Sequence, residues 1–364
     1  EDLGVNYSSL TEAVAAASEG HTLTLASGTY TENVVIDKAL TINGANAGEA
    51  PVDAEGNPLP DLTDGVRTND ESWINGKLTI AAANVVIDGV RLHNPEGPLD
   101  WDESLLTQGG GGLDGFQLLN SYLTGYTGTG APRFNGDGDY VGQPVASNWV
   151  IENNLIGGMI DGSGGALYLS GLADSSISDN VFWRPAAGHL YVSSLQNTAV
   201  EDNQFFHGVH AGGADFDGLA EALLEANGFG YGDANTNGPD GYGADGYGGT
   251  YFGRNFWIEV KGTNSDVSIT GNTGQYNSGG IQLYGEGNEA YSFADFTISN
   301  NVFEDFINAD PTGVLDGTGR SVSGFNGAIN VSALNDSQVI NLVITGNSVT
   351  GSEDQIYSER DFVA

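Results

Sequence analysis

The sequence contains no cysteine. Disulfide frameworks and cysteine-ligated zinc sites are thereby excluded. Positive charge is nearly as scarce. Lys and Arg together number 10 against 48 Asp and Glu, so the formal net charge is −38. A phosphate-binding surface is built from Lys and Arg, so nucleic acid is excluded as a partner. No apolar run approaches the roughly 18 residues of a membrane-spanning helix, and no such span is expected. The chain opens at Glu1 without a recognisable secretory leader, and reads as a processed protein or a piece excised from a longer one.

What is present points elsewhere. Glycine contributes 56 of 364 residues, too many for a coiled coil or helical bundle, and keeps no three-residue collagen period. Hydrophobic residues make up 39% and aromatics 10%, enough to build a core despite the charge. High acidity with few lysines fits a secreted or cell-surface protein of salty or calcium-rich surroundings.

The chain repeats. Ala166-Leu-Tyr-Leu-Ser170 returns as His189-Leu-Tyr-Val-Ser193, and at the same 23-residue offset Ser176-Ile-Ser-Asp-Asn-Val-Phe182 returns as Ala199-Val-Glu-Asp-Asn-Gln-Phe205. Looser copies run from Trp257 to Asn272, Gly280 to Phe303 and Ala328 to Asn347, and earlier half-copies lie at Leu78–Gly89, Leu113–Leu123 and Trp149–Ile156. Short alternating strands separated by Asn, Gly and Ser, recurring every 22–25 residues or so, predict the coils of a parallel β-helix. About ten coils are expected in one domain spanning 1–364. The recurrent Asn at the end of the second strand suits a left-handed turn and coil-to-coil hydrogen bonding.

Before the coils, Ser9-x-x-Glu12 is a capping box, and Leu10, Ala13, Val14 and Ala17 share one helical face. A helix over 8–18, stopped at Gly20, would cover the open edge of the first coil. The stretch Ser9-Leu-Thr-Glu-Ala-Val-Ala-Ala-Ala-Ser-Glu-Gly-His-Thr-Leu-Thr-Leu-Ala-Ser-Gly-Thr-Tyr-Thr-Glu-Asn-Val-Val-Ile36 resembles the opening of right-handed β-helix proteins of the pectin-lyase-like superfamily. That resemblance implies an all-β, single-stranded right-handed β-helix. It leaves open lyases, hydrolases, epimerases, adhesins and phage spikes.

Alternation in the aligned strands puts Leu167, Leu169, Leu190, Val192, Ile258, Val260, Ile281, Leu283, Ile329 and Val331 inside. Three columns should then face outward. They are Ala166, His189, Trp257, Gly280, Ala328; then Tyr168, Tyr191, Glu259, Gln282, Asn330; then Ser170, Ser193, Lys261, Tyr284, Ser332. His189, Tyr191, Trp257, Glu259, Lys261, Gln282 and Tyr284 concentrate on about three rungs, where aromatic faces and ionisable groups would suit a sugar chain. The bland alternative is a solvated sheet face with a stabilising Glu259–Lys261 neighbour pair.

A segment over 206–254 interrupts the repeat. It contains an expected helix from Phe216 to Asn227, a Gly/Tyr/Asp-rich loop, and His207 and His210 at its start. Asp233-Ala-Asn235-Thr-Asn237-Gly-Pro-Asp240 has the spacing of half a calcium loop, with Ala244 where the bidentate Glu belongs; Asn135-Gly-Asp137-Gly-Asp139 is a second candidate. Bound calcium is expected, with Asp233, Asn235, Asn237 and Asp240 as ligands.

Hydrolysis of a glycosidic bond needs two flanking carboxylates. The loaded strands offer one, Glu259. Elimination beside a uronate carboxyl needs a cationic neutraliser, a base and an acid, roles that Lys261, Tyr284, Tyr191 and His189 fit, with Trp257, Gln282, Tyr168, Arg254 and Arg184 to hold the sugar. Glu259-Val-Lys261-Gly, Gly271-Asn-Thr273 and Gly279-Gly-Ile-Gln-Leu-Tyr284-Gly285 resemble the lysine-containing coil pair of alginate lyases and chondroitinase-B-like lyases. The resemblance implies Lys261 as base and Glu259 as a calcium ligand; Tyr284 stands where that family has Arg. A polysaccharide lyase or C5-epimerase acting on a uronate polymer is therefore expected. The other expectation is a non-catalytic, calcium-stabilised adhesin or carbohydrate-binding module. Oligomeric state is left open.

Overall fold

The computed structural model describes residues 6–51, 71–93, 98–99, 106–108, 113–124, 127–128, 133–134, 146–157, 167–183, 189–206, 257–275, 280–284, 291–304, 328–332, 338–349 and 356–358. They form a right-handed parallel β-helix. Each coil contributes one strand in turn to three parallel sheets. The first sheet runs from Thr22–Thr24 to Gln338–Thr345, the second from Gly28–Tyr30 to Ser348–Val349, and the third from Val34–Ile36 to Ile356–Ser358. The third sheet has ten strands, in agreement with the expected coil number.

Register is strict because each coil repeats the alternation of the last. Leu167, Leu190, Ile258, Ile281 and Ile329 stack in one inward row, and Leu169, Val192, Val260, Leu283 and Val331 in the next. All ten are at most 2% exposed. A one-residue slip would turn both rows to solvent, which fixes the pairing.

Asparagine supplies the second restraint. Asn154, Asn180, Asn203, Asn272 and Asn301 are fully buried. The Oδ1 of each residue from Asn180 to Asn347 accepts from both the backbone N–H and Nδ2 of the preceding one, at 2.9–3.0 Å. Each Nδ2 also donates to a backbone carbonyl of the preceding coil, as Asn203 does to Ile177 at 2.8 Å. The coil-to-coil bonding expected from the repeated Asn is thus realised. The left-handed conformation is not theirs, however. It falls on the residue before: Asn153, Asp179, Asp202, Gly271, Asn300 and Gly346 have φ between 54° and 72°. That turn swings the following Asn side chain inward, where it replaces the sheet's own hydrogen bonds across the corner.

The N-terminal helix spans Leu10–Ala16 and buries Leu10, Ala13 and Val14. Ser9 Oγ accepts from Glu12 N–H at 3.1 Å, half of the capping box. The other half departs from expectation, because Glu12 accepts from Ser8 Oγ instead. Glu32 of the first coil takes its place, accepting from Leu10 and Thr11 N–H at 2.8 and 2.9 Å. At the other end Lys38 Nζ donates to the carbonyls of Val14, Ala15 and Ala17. Carboxylate at the positive end and ammonium at the negative end complement the helix dipole, and the first coil thereby holds its own cap. Among the described residues no helix is long and apolar enough to cross a membrane.

Candidate functional site

The candidate site is built on the third sheet. Its strands Leu190–Ser193, Ile258–Lys261 and Ile281–Tyr284 lie side by side. Apolar alternation commits Ile258 and Val260 to the core, so Glu259 and Lys261 must point away from it. The register places Tyr168, Tyr191, Glu259, Gln282 and Asn330 in one outward row. Ser170, Ser193 and Lys261 form the adjacent row, and Tyr284 pairs with Ser332 in the register. The second expected column is therefore present, and the third as far as Lys261.

The first column is not outward. Its members do stack, as the bonds Leu190 N–H to Trp257 O, Trp257 N–H to Gly280 O and Ile281 N–H to Ala328 O show. But His189, Trp257 and Ala328 are 0% exposed and Gly280 is buried. These residues precede the strands at the corner with the second sheet, so alternation within the strand does not extend to them. Trp257 stacks between Phe205 and Phe303, with ring centroids 5.4 and 4.1 Å apart and planes within 12° of parallel. His189 meets Phe205 edge-on at 5.5 Å. The expected catalytic role of His189 and the expected sugar contact of Trp257 are corrected accordingly: both build the core beneath the site.

On the outward rows the chemistry is concentrated. Lys261 Nζ lies 2.9 Å from Glu259 Oε1, with the side chains 12% and 4% exposed. The lysine is one of three in the chain. Tyr168 and Tyr191 stack at 4.4 Å with their rings 15° apart, on the rungs leading up to Glu259. Gln282 and Asn330, beyond it, are each 2% exposed. From Glu259 to Asn330 the outward strip is therefore polar and yet shut off from solvent, while Tyr168 and Tyr191 are half-buried and Val35, far along toward the N-terminus, is 56% exposed. Coulombic interactions are strengthened in such surroundings.

Lys261 is held from its backbone outward. Gly262, with φ of 81°, turns the chain immediately after it. Asn264, fully buried, donates to the carbonyls of Lys261 and Gly262 at 2.9 and 3.1 Å and accepts from Leu195 N–H at 2.9 Å. Sequence reasoning missed Asn264. The signal was a polar residue in a position where the next coil has apolar Phe293.

A second buried outward row, on the second sheet, is of another kind. There the Arg91 guanidinium lies 3.9 Å over the Trp73 ring and 4.8 Å over Tyr122, with Leu155 and Val181 continuing the row. Burial pulls the Arg91 pKa down, against the opposing influence of Tyr122 and Glu71. Rings and aliphatic side chains around one cation make a packing unit rather than a sugar-binding groove.

Arg184, Arg254, Asp233, Asn235, Asn237 and Asp240 lie outside the described residues, as do His207, His210, the helix expected at 216–227 and the candidate loop at 135–139. Among the described residues no group of three or more His, Asp or Glu side chains is arranged to hold a metal. Glu259, the expected calcium ligand of the strip, has its Oε1 on the Lys261 ammonium.

No protein-family description matches the sequence, and no protein of curated function does. Similarity appears in solved structures. The chain is similar to an alginate lyase from Paenibacillus sp. str. FPU-7, with a TM-score of 0.54 and 14% identity over 96% of this chain and 94% of that one. It is also similar to the Streptococcus pneumoniae surface protein and adhesin PfbA, with a TM-score of 0.43 and 13% identity over 95% and 94%. A DFA-IIIase from Arthrobacter chlorophenolicus A6 without its lid gives 0.40 and 11% over 93% and 79%. At these identities the likeness is one of fold, a right-handed parallel β-helix.

Proposed function

We propose that the chain is a secreted or cell-surface, carbohydrate-active β-helix that takes a uronate-containing polysaccharide along the outward strip of its third sheet. There it abstracts the proton beside the sugar carboxyl, completing β-elimination or C5 epimerisation. The observation that carries this reading is the enclosed Lys261–Glu259 pair beside the stacked Tyr168 and Tyr191. A sugar chain needs a flat aromatic face, and a uronate needs a cation where its own carboxylate sits. The strip supplies both on adjoining rungs.

The roles divide among few groups. Tyr168 and Tyr191 provide the ring face. Lys261 meets the uronate carboxylate or, after passing a proton to Glu259, takes the proton from the adjacent carbon. The electron pair left on that carbon forms the double bond as the glycosidic oxygen departs, and that oxygen receives a proton from Tyr191 or Tyr284. Hydrolysis is disfavoured because, among the described residues, the strip has a single carboxylate, Glu259, and it is engaged.

Calcium belongs to the same proposal only at the loop of Asp233, Asn235, Asn237 and Asp240. Bound there it would bridge acidic protein to acidic polymer. Among the described residues Glu259 belongs to no group of three or more carboxylates and histidines that could hold a cation, and no step above passes through a metal.

A second reading, a binding module or adhesin without catalysis, is favoured by the same ion pair, since a lysine donating to a carboxylate is not a free base. One experiment separates them. The protein is mixed with alginate, pectate, chondroitin and heparan, with calcium or chelator, and the ultraviolet absorbance of unsaturated uronate is followed. A rise that Lys261→Ala abolishes supports elimination. A flat trace on every polymer, with retardation in affinity electrophoresis, supports the binding module.

A further inference from the structure

Gln282 carries a buried donor with no acceptor. Its side chain is 2% exposed and its Nε2 makes no hydrogen bond. It is not a core residue turned the wrong way: Ile281 and Leu283 on either side are the inward residues, both fully buried. The amide therefore lies on the outward strip, between Glu259 and Asn330 in the register. The nearest carboxylate in that row, Glu259, gives its Oε1 to Lys261. A buried amide N–H left unpaired is destabilising, and folded chains rarely keep one without a use.

We propose that Gln282 is a specificity-determining residue of the site, its Nε2 kept unpaired in the free protein for an oxygen of an anionic sugar. Lys261 stands diagonally across one rung from it, a spacing of roughly 7–8 Å between neighbouring strands. An ammonium and an amide at that separation bracket a carboxylate, each donating to one side of it. A neutral sugar would satisfy the amide but bring no carboxylate to the ammonium, so the pair selects for uronates. This inference rests on the function proposed above and names the group that reads its substrate.

The test is Gln282→Met, which keeps the length of the side chain and removes both donors. The melting temperature of the free protein is expected to stay level or rise by a few degrees, because an unpaired buried donor has been removed. On alginate or whichever tested uronate polymer the wild type cleaves, KM is expected to rise roughly tenfold with kcat little changed. If wild-type protein binds without cleaving, the dissociation constant takes the place of KM. A clear fall in melting temperature overturns the inference, since it would mean that the amide is satisfied within the protein. An unchanged KM on a polymer that is still cleaved also overturns it, as when an ordered water occupies the donor, and leaves the proposed function standing. Wild-type protein that neither binds nor cleaves alginate, pectate, chondroitin or heparan overturns the function for those polymers and this inference with it. Gln282→Leu repeats both readouts with a differently shaped apolar side chain.

Discussion

Trp257 occupies the space that Gly274 leaves empty. Phe182, Phe205, Gly274 and Phe303 stand in one inward row of the second sheet. The row would have a gap at the glycine, and the indole of Trp257, entering from the corner of the same coil, closes it against Phe205 and Phe303. A Cβ built on Gly274 falls on the indole ring and 2.8 Å from the Phe205 carbonyl.

The consequence is a coupled pair. Trp257→Ala should cost about 3–5 kcal/mol through the cavity it leaves. Gly274→Ala should cost about 1–3 kcal/mol through overpacking. Combining Gly274→Ala with Trp257→Phe should destabilise by less than the sum of Gly274→Ala alone and Trp257→Phe alone, because the smaller ring makes room. Urea unfolding of the wild type, those two single variants and the double variant measures this, and strict additivity would contradict the packing described.

The asparagine ladder predicts a second loss. Asn203→Ala removes the acceptor for the Asn180 N–H and leaves the Ile177 carbonyl without its donor, while Asn180 Nδ2 keeps the Ile151 and Ser178 carbonyls. With each stranded buried group worth about 1–3 kcal/mol, the variant should lose about 3 kcal/mol or more. The same substitution at Asn197, exposed, in the strand Gln196–Glu201 and bonded to Asp174, should cost only about 1 kcal/mol, the strain of Ala at its left-handed φ of 45°.

Glu32 ties helix stability to pH. Burial raises its carboxyl pKa, but the bonds from the Thr11 hydroxyl and the Thr11 and Leu10 N–H groups outweigh this and hold it below the ordinary 4.5. A depressed carboxylate stabilises the folded state above its unfolded pKa, and that contribution is lost as pH falls through the folded value. The protection of the amides in Leu10–Ala16, relative to their intrinsic exchange at each pH, should therefore fall in acid before that of the coils. Glu32→Gln should show low protection already at neutral pH and little further change in acid.

The Lys261–Glu259 pair predicts an asymmetry. Lys261→Met leaves the Glu259 carboxylate buried without its cation and should cost about 3–5 kcal/mol. Adding Glu259→Gln should recover much of that stability while leaving cleavage or binding of uronates abolished. Recovery of stability without recovery of activity separates the structural part of the pair from its chemical part.

Much of this architecture was legible in the sequence for one reason: a coil cannot bury its apolar face except against another, so the residues return at near-constant offset. The inward rows, the coil number, the cap helix and the Asn ladder all follow from that. Two rows of the site followed as well, since Glu259 and Lys261 sit inside a strand where alternation holds. It failed at His189 and Trp257, which stand at a corner, where the chain changes direction and period-two reasoning ends. It also misplaced the left-handed turn by one residue, because Asn and Asp are adjacent there and only backbone geometry tells which of them turns. Asn264 escaped because it breaks the repeat.

The ladder has a further consequence. Asn180 and Asn203 are 23 residues apart in sequence, and Asn203 and Asn272 are 69 apart, yet their hydrogen bonds are the same 3.0 Å. The scaffold is thus indifferent to how much chain is spent between one rung and the next. Loop closure grows only with the logarithm of loop length, so a long excursion adds little to the entropy a short one already loses. New surface can therefore be grafted at a corner without retuning the sheets beneath it, and specificity in such a chassis is free to change by exchange of excursions while the reactive side chains stay at fixed addresses.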